Sequence, residues 1–427
     1  MSKKTPKEIV DNYVPKKPSF IAMCFFRIAL KFVCLKHNVK FIYKFNKKEM
    51  KGRQVIIISD HASRDNYFFA LSGYPFANPN CIIGYQNVFD KKYFKMLLKA
   101  GVIPKYLYAP DYKATKNTLR LIKEGASICF FPEGIQSAVG STHPMNPASI
   151  KLMKSAGIDV VLCHSRGAYL SKPRFSKKWR KGYMEFEYSI LFTKEELKAK
   201  SHDELYEKYM KEFSYNDFIW NKEKRIKYTC EDSNAKGLEQ LLYYCPKCGS
   251  EFEIVNDKDT LVCKKCGNTI QVNEYYDLIK LNDSYLPFNR IDEWFNYQRK
   301  LVREEIKADD YKYEYDAELL EICYEKLLKN RYIVTGKGHV TIDKDNITYN
   351  GTRNNEEFIK IFKIDSIPSA PLDCGDDNEF YYENEYYSLR PLDNPNTSTK
   401  IMMIIEELHN LKDPSWNKYS RDVYDKE

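Results

Sequence analysis

Two cysteine pairs limit what this 427-residue chain can fold into more tightly than anything else in it: CPKCG at Cys245 to Gly249 and CKKCG at Cys263 to Gly267. Each C-x-x-C places two thiolates on one tight turn, with the glycine easing the backbone, and two such knuckles complete a tetrahedral sulfur site for structural Zn2+. The spacing predicts a zinc ribbon over residues 236–275, with Cys245, Cys248, Cys263 and Cys266 as ligands. A redox pair would usually come singly. Disulfides are disfavoured too, because no secretory signal is present: the first apolar run begins at Phe20 and is broken by Arg27 and Lys31. The twelve cysteines are therefore expected reduced, in the cytosol.

Ribbons occur in nucleic-acid-binding proteins, and the net charge of +9 invites that reading. Lys and Arg are dense in the first 230 residues, whereas acidic residues are dense from about Asp309 onward. A basic half meets either nucleic acid or an anionic membrane surface. The ribbon itself balances Lys247, Lys258, Lys264 and Lys265 against Glu251, Glu253, Asp257 and Asp259, which is no phosphate-binding stripe. No nucleic-acid partner is expected.

No run of about 18 uncharged apolar residues is present, so a spanning helix is not expected. The segment Ser19 to Lys36 comes nearest. At helical period Arg27 and Lys31 share one narrow face, while Phe20, Phe25, Phe26, Leu30, Phe32 and Val33 cover most of the rest. That pattern fits an interfacial helix lying in a bilayer surface with its cations at the headgroups, or a helix packed on the next domain. Residues 1–50 are accordingly expected to form an amphipathic membrane-associating segment.

Residues 51–235 read as an α/β domain. Short apolar runs at Val55 to Ser59, Cys81 to Tyr85, Ser127 to Phe131, Asp159 to Ser165 and Tyr183 to Ile190 have strand character. They alternate with helical segments, of which DYKATKNTLRLIKEG has Asp111 placed to cap its start and Gly125 to end it. Alternation of this kind implies a mostly parallel sheet flanked by helices. Beyond the ribbon, a helical connector is expected over 276–330, including DAELLEICYEKLLKN, followed by a β-rich domain over 331–427. Its strands, closed by the helix STKIMMIIEELHNL, weakly resemble a pleckstrin-homology-like barrel.

The chemistry centres on SDHASRDN, Ser59 to Asn66, which sets His61 just past a strand and at the opening of a helix. Active-site groups gather at such strand ends in α/β folds, and a histidine held by a carboxylate acts as a general base near neutral pH. Asp65, and less directly Asp60, are near enough to try. Taken alone, the stretch reads more readily as a capping or surface histidine, because many helix starts carry Asp, Ser and His. A second strand then runs straight into Phe-Pro-Glu-Gly, Phe131 to Gly134, bringing Glu133 to the same sheet edge.

FPEG, preceded by a histidine with a nearby aspartate and by GVIPK at Gly101 to Lys105, and followed by VVLCHSRGAYLSKPRF, resembles the glycerolipid acyltransferase family, which includes the lysophosphatidic acid acyltransferases. The resemblance covers roughly Gln54 to Tyr188, and the added ribbon looks like a bacterial subgroup. It implies a glycerolipid-acyltransferase-like mixed sheet flanked by helices. It also implies that His61 deprotonates an acceptor hydroxyl, which attacks the thioester of acyl-CoA or acyl carrier protein. It further implies acceptor binding by Glu133 and Gly134, a phosphate contact from Lys105, and membrane lipids as partners at the cytoplasmic, inner face of the membrane.

Two departures stand out. The family spacing H-x-x-x-x-D falls on Asn66, while Asp65 is one residue early, so either could orient His61; Asp65 is favoured because an imidazolium benefits from a full negative charge. The Thr-Arg-Ser that often follows FPEG is Ile135, Gln136 and Ser137 here, and glutamine cannot replace a bidentate guanidinium. A phosphate-bearing acceptor would then rely on Arg64, Lys105, Lys151 or Arg166. The alternatives are a catalytically degenerate lipid-binding or scaffold protein and a zinc-ribbon nucleic-acid binder.

Overall fold

The computed structural model describes residues 4–143 and 147–413. Three sheets organise them. The first holds seven strands: β1 (Val39–Tyr43), β2 (Ile56–Ser59), β3 (Asn80–Gly84), β4 (Ile103–Lys105), β5 (Ile128–Phe130), β6 (Val160–Arg166) and β7 (Met184–Phe192). Their order is β1-β7-β6-β2-β5-β3-β4, and every pairing is parallel except β6 with β7. β2 is buried along its whole length, as an uninterrupted Ile-Ile-Ile run in a two-sided parallel sheet must be. Its neighbours are β5 and β6, so three strand ends open onto one place.

The helix Tyr112–Lys123 follows its sequence signals: Asp111 accepts from the Ala114 amide at 2.8 Å, and Gly125 takes a left-handed φ of 82°. The charged stretch from Thr193 is two helices, Lys194–Ala199 and His202–Phe213, each opened by its own capping box.

The second sheet is the cysteine module, with β8 (Ile254–Asp257), β9 (Thr260–Cys263), β10 (Thr269–Val272) and β11 (Leu278–Lys280). It does not hang on a linker. Cys245, Cys263 and Ile270 belong to one continuous apolar core that runs from Ile57 in the first sheet to Leu408 in the helix Ser398–Lys412. The helix Ile291–Glu305 clamps the first knuckle: Gln298 accepts from Tyr244 N at 2.9 Å, and Trp294 Nε1 donates to Tyr244 O at 2.9 Å.

The third sheet is antiparallel: β12 (Lys312–Ile322), β13 (Tyr332–Asp343), β14 (Asn346–Arg353), β15 (Glu356–Lys363), β16 (Asn378–Tyr382) and β17 (Glu385–Pro391). Here the helical connector expected over 276–330 is corrected. Only Ile291–Glu305 forms a long helix, while Asp316 to Ile322, read as helical from its pattern, lies inside β12. β12 pairs with β13 from Lys312 to Ile322 and buries Tyr315, Ala317 and Leu319 at the strand period of two, a tertiary pairing that overrides helix propensity. The helix Ser398–Lys412 packs on this sheet and meets Ile291–Glu305 through a buried ion network in which Arg299 reaches Glu406 at 2.9 Å and Glu407 at 3.0 Å.

At the N-terminus the helix Phe20–Lys36 forms as expected, but its charges are not on one wet face. Arg27 turns inward and donates to the Tyr74 and Ala77 carbonyls. Its exposed surface sets large apolar side chains, Ile28 58%, Phe32 69% and Leu35 71% accessible, beside exposed Lys31 and Lys36. The side chains of Phe20, Phe25 and Phe26, part of the expected apolar face, lie outside the described residues. No helix among the described residues is long and apolar enough to cross a membrane.

Candidate active site and metal centre

β2, β5 and β6 end side by side, with Ile58 opposite Phe130 and Ser59 opposite Cys163. The residues that follow each strand therefore meet: Asp60 and His61 after β2, Phe131 to Gly134 after β5, and His164 and Ser165 at the end of β6. The two turns are tied through Glu133, whose Oε1 accepts from His61 N at 2.6 Å and whose Oε2 accepts from His143 N at 2.5 Å. The His61 carbonyl in turn accepts from Ser137 N at 2.9 Å. Burial pushes the Glu133 carboxyl up to about 8, against the lowering effect of the two amides. With both oxygens committed to main chain, Glu133 is placed to fix the loops around His61. Gly134 carries a φ of 77°, a left-handed turn residue closing on Tyr108, whose hydroxyl donates to the Glu133 carbonyl at 3.0 Å.

The His61 ring lies against Phe131, with ring centroids 4.8 Å apart. Its Nδ1 is fully buried, although the residue as a whole keeps part of its surface. Burial first, then the nearby Arg174 guanidinium, hold the ring down to about 4, opposed by smaller contributions from the Asn66 side chain, the Ser63 main chain and Asp60. An imidazole in that environment is uncharged at neutral pH and open to accept a proton.

Of the two candidates for its partner, the structure brings Asn66 to the ring. Asn66 is fully buried and its side chain acts to favour the protonated form of His61, but His61 Nδ1 and Asn66 Oδ1 are both buried without a hydrogen-bond partner. Asp65 precedes the helix Asn66–Ser72, makes no side-chain capping bond, and has its electrostatic effect on His37, Lys172 and Tyr67 rather than on His61. Neither Asp65 nor Asn66 hydrogen-bonds His61 Nδ1. A helix begun at position 66 turns residue 65 away from the strand end.

Three of the four cations expected to meet a phosphate are already engaged. Lys105 Nζ donates to the Tyr106 and Ala109 carbonyls at 2.9 and 3.3 Å, and burial lowers its pKa. Arg166 pairs with Glu185 at 3.4 Å and Glu187 at 3.1 Å on β7. Arg64 reaches Asp373 of the third sheet's connecting segment at 3.2 Å, and Lys151 is exposed. Arg174, which the sequence did not single out, donates to Gln136 at 3.1 Å and to the Leu372 carbonyl. The segment around Leu372 thus lies over a small cleft lined by Gln136, His143, Arg174, Leu372 and Met402.

Beneath His61 sits a polar network that sequence reading also missed. Asp60, Ser165 and Asn66 are all buried and mutually hydrogen-bonded. The signal available was the pair Asp60 and Ser165 at the ends of adjacent buried strands, whose register only the folded sheet supplies.

The four cysteine sulfurs lie within 4.8 Å of one another, with Cys245–Cys266 at 3.7 Å and Cys248–Cys263 at 3.8 Å. A tetrahedron of Zn–S bonds of about 2.3 Å has edges of about 3.8 Å, so the donor set fits a zinc-like ion. Ser250 Oγ lies 3.0 Å from Cys248 Sγ and draws that thiol down to about 6, whereas burial raises Cys245 to about 12. Binding a metal there would displace the remaining thiol protons.

No family model and no curated protein matches the chain. Among solved structures, the 1-acyl-sn-glycerophosphate (LPA) acyltransferase PlsC from Thermotoga maritima is similar at 16% identity and a TM-score of 0.39, over 51% of this chain and 81% of that one.

Proposed function

We propose that the chain is an acyl-thioester-dependent O-acyltransferase that acts at the cytoplasmic face of a membrane, passing a fatty acyl group from acyl-CoA or acyl carrier protein to the hydroxyl of a lysophospholipid or related glycerolipid. The observation that carries the reading is His61: an uncharged imidazole at the end of β2, with its main chain locked to Glu133 of the FPEG turn at 2.6 Å and Asn66 behind its ring. That placement supports general-base work on a substrate entering the crevice above the strand ends.

In this mechanism His61 takes the proton of the acceptor hydroxyl as its oxygen attacks the thioester carbonyl. A C–O bond forms and the tetrahedral intermediate collapses with loss of the C–S bond. The imidazolium returns the proton to the departing thiolate, leaving an ester and a free thiol. Glu133 fixes the loop that carries His61, its two oxygens taken by the His61 and His143 amides. The apolar face of Ile28, Phe32 and Leu35 supports contact with a bilayer, where the acceptor resides. Zn2+ at the four cysteines would tie the knuckles that pack against the helix Ile291–Glu305, away from the reacting atoms.

The test is incubation of the purified chain with acyl-CoA and a panel of lysolipids while free thiol is followed. Release that requires both an acceptor and His61 supports the reading, and a folded protein that releases no thiol with any acceptor and either donor overturns it. One observation favours a second reading, a lipid-binding protein without turnover: Arg64 and Arg174 are both held by the Leu372 and Asp373 segment. Vesicle or lysolipid binding without thiol release would select it, and a salt-dependent shift of RNA or DNA would select the nucleic-acid alternative.

A further inference from the structure

Two guanidiniums beside the His61 and FPEG turns are covered by one acidic turn of the third sheet. We propose that the tip of segment 367–377, between β15 and β16, is an autoinhibitory strap: the Asp373 carboxylate and the Leu372 carbonyl occupy, on Arg64 and Arg174, the place of a phosphate monoester, and such a ligand displaces them and opens the crevice. The proposal rests on the reading of that crevice as an acyl-acceptor site and names what controls entry to it.

Arg64 belongs to the turn that carries His61, and its Nη2 donates to both Asp373 oxygens at 3.2 Å. Arg174 comes from the loop between β6 and β7 and bridges the crevice. Its Nη1 donates to Gln136, just past the FPEG turn, at 3.1 Å, and its Nη2 donates to the Leu372 carbonyl. Gln136 adjoins Ser137, whose amide donates to the His61 carbonyl at 2.9 Å. Consecutive residues of the strap thus hold one cation from the His61 turn and one tied to the FPEG turn, the two loops that Glu133 already joins. Paired guanidiniums suit a phosphate dianion, whose oxygens accept forked contacts where the strap offers one carboxylate and one carbonyl.

The strap leaves little room beside it. The cleft towards Gln136 and His143, and the one towards Tyr108 on its other side, each have space for about one water molecule. A glycerophosphate headgroup fits neither, so it can meet Arg174 only where the tip now lies.

The strap's own fold depends on neither arginine. Ser369 donates to Glu406, and Asn378 Nδ2 donates to the Ala370 and Ser398 carbonyls at 3.1 and 3.0 Å, which anchors both ends. Between them the tip closes on itself: Asp373 N donates to Asp377 O at 2.8 Å, Asp376 N donates to Asp373 O at 2.9 Å, and Gly375 takes a left-handed φ of 67°. The grip on Arg64 is the weaker part. Its side chain and that of Asp373 are 67% and 50% exposed, and an ion pair that wet holds weakly. Leu372, which is buried, supplies the apolar part of the latch.

Cys374 lies in the tip itself, and burial pushes its thiol up to about 12, which keeps it slow to react while the strap is down. The experiment is alkylation of Cys374 by N-ethylmaleimide in the full chain purified with zinc, read by peptide mass spectrometry, with lysophosphatidic acid, inorganic phosphate or monoacylglycerol added. Lysophosphatidic acid should speed alkylation about tenfold, as when a ligand binds only the open form, and monoacylglycerol should not. Inorganic phosphate acting as well as the lysolipid would make the free anion sufficient, whereas action of the lysolipid alone would make the headgroup on its chain the opener. Asp373→Asn, a mild change at an exposed side chain, should give fast alkylation without ligand. Arg64→Gln should do the same and lose the response to lysophosphatidic acid. Alkylation indifferent to both phosphate-bearing ligands or to Asp373→Asn overturns the strap, as does equal acceleration by monoacylglycerol. Thiol release from acyl-CoA reports separately on acyl transfer: in Asp373→Asn the KM for lysophosphatidic acid should fall at unchanged kcat, because the open form no longer has to be selected. A strap that opens in a chain that never releases thiol stands without acyl transfer, and thiol release beneath a strap that never opens removes the strap alone.

Discussion

Arg174 lies close enough to His61 to oppose protonation of its ring, second only to burial itself, while its own guanidinium is held by Gln136 and the Leu372 carbonyl. The segment between β15 and β16 thereby reaches His61 through the Arg174 side chain.

One consequence is measurable in the pH dependence of both rate and stability. The folded pKa of His61, about 4, lies below the ordinary 6.5, so the unfolded chain binds more protons between those values and His61 makes stability rise with pH across that window and fall on acidification through it. The acid limb of the thiol-release profile is expected near pH 4 to 5 rather than near 6.5. Arg174→Gln should move that limb upward, because a positive neighbour is removed. An unmoved limb in the variant would show that Arg174 does not act on the base.

Asn66→Ala and Asp65→Ala, assayed side by side, separate the two candidate partners. Asn66→Ala should lower turnover by about 10²-fold, the lower range for disabling a general base, while Asp65→Ala keeps most of it. The reverse pattern would return the role to Asp65.

The helix Phe20–Lys36 exposes Phe32 and Leu35 beside Lys31 and Lys36. A Phe32→Glu, Leu35→Glu double variant should lose flotation with anionic vesicles while its melting temperature stays within about 3 °C, since surface changes away from packed features cost little. Equal flotation of both proteins would mean the face is not used on lipid.

Cys248→Ser and Cys266→Ser should each abolish stoichiometric zinc, read by elemental analysis, and lower stability by several kcal/mol, because a structural site contributes its binding energy to folding. Since Cys245 and Cys263 lie in the core shared with both other sheets, the loss should appear as cooperative unfolding of the chain and not as fraying of the ribbon.

Arg299 is buried between Glu406 and Glu407, at 2.9 and 3.0 Å. Arg299→Met leaves two buried carboxylates short of their partner and should cost about 3–5 kcal/mol in urea unfolding, the usual penalty for breaking a buried pair from one side. Adding Glu406→Gln and Glu407→Gln should recover part of that loss.

Local chemistry made several features readable without the fold. The cysteine spacing placed four sulfurs on two knuckles, Asp111 and Gly125 bounded one helix, and the Ile-Ile-Ile run of β2 was apolar enough to be a buried parallel strand. His61 and Glu133 could be paired because each follows a strand directly. What chain order could not supply was decided between strands. Asp316 to Ile322 became β12 because eleven residues of pairing with β13 outweigh a helical composition. Arg27, Lys105 and Arg64, read as cations for a headgroup or a phosphate, are committed to carbonyls or to Asp373. Which of residues 65 and 66 is buried beside the strand end turned on where a helix starts, which rotates successive side chains by about 100°. Asp60 and Ser165 lie far apart in the chain and become neighbours only because β2 and β6 are adjacent in register. Residue types and short spacings thus determined which groups this protein has for chemistry, and tertiary hydrogen bonding decided which of them act together, because a buried polar atom must find its partner across the sheet.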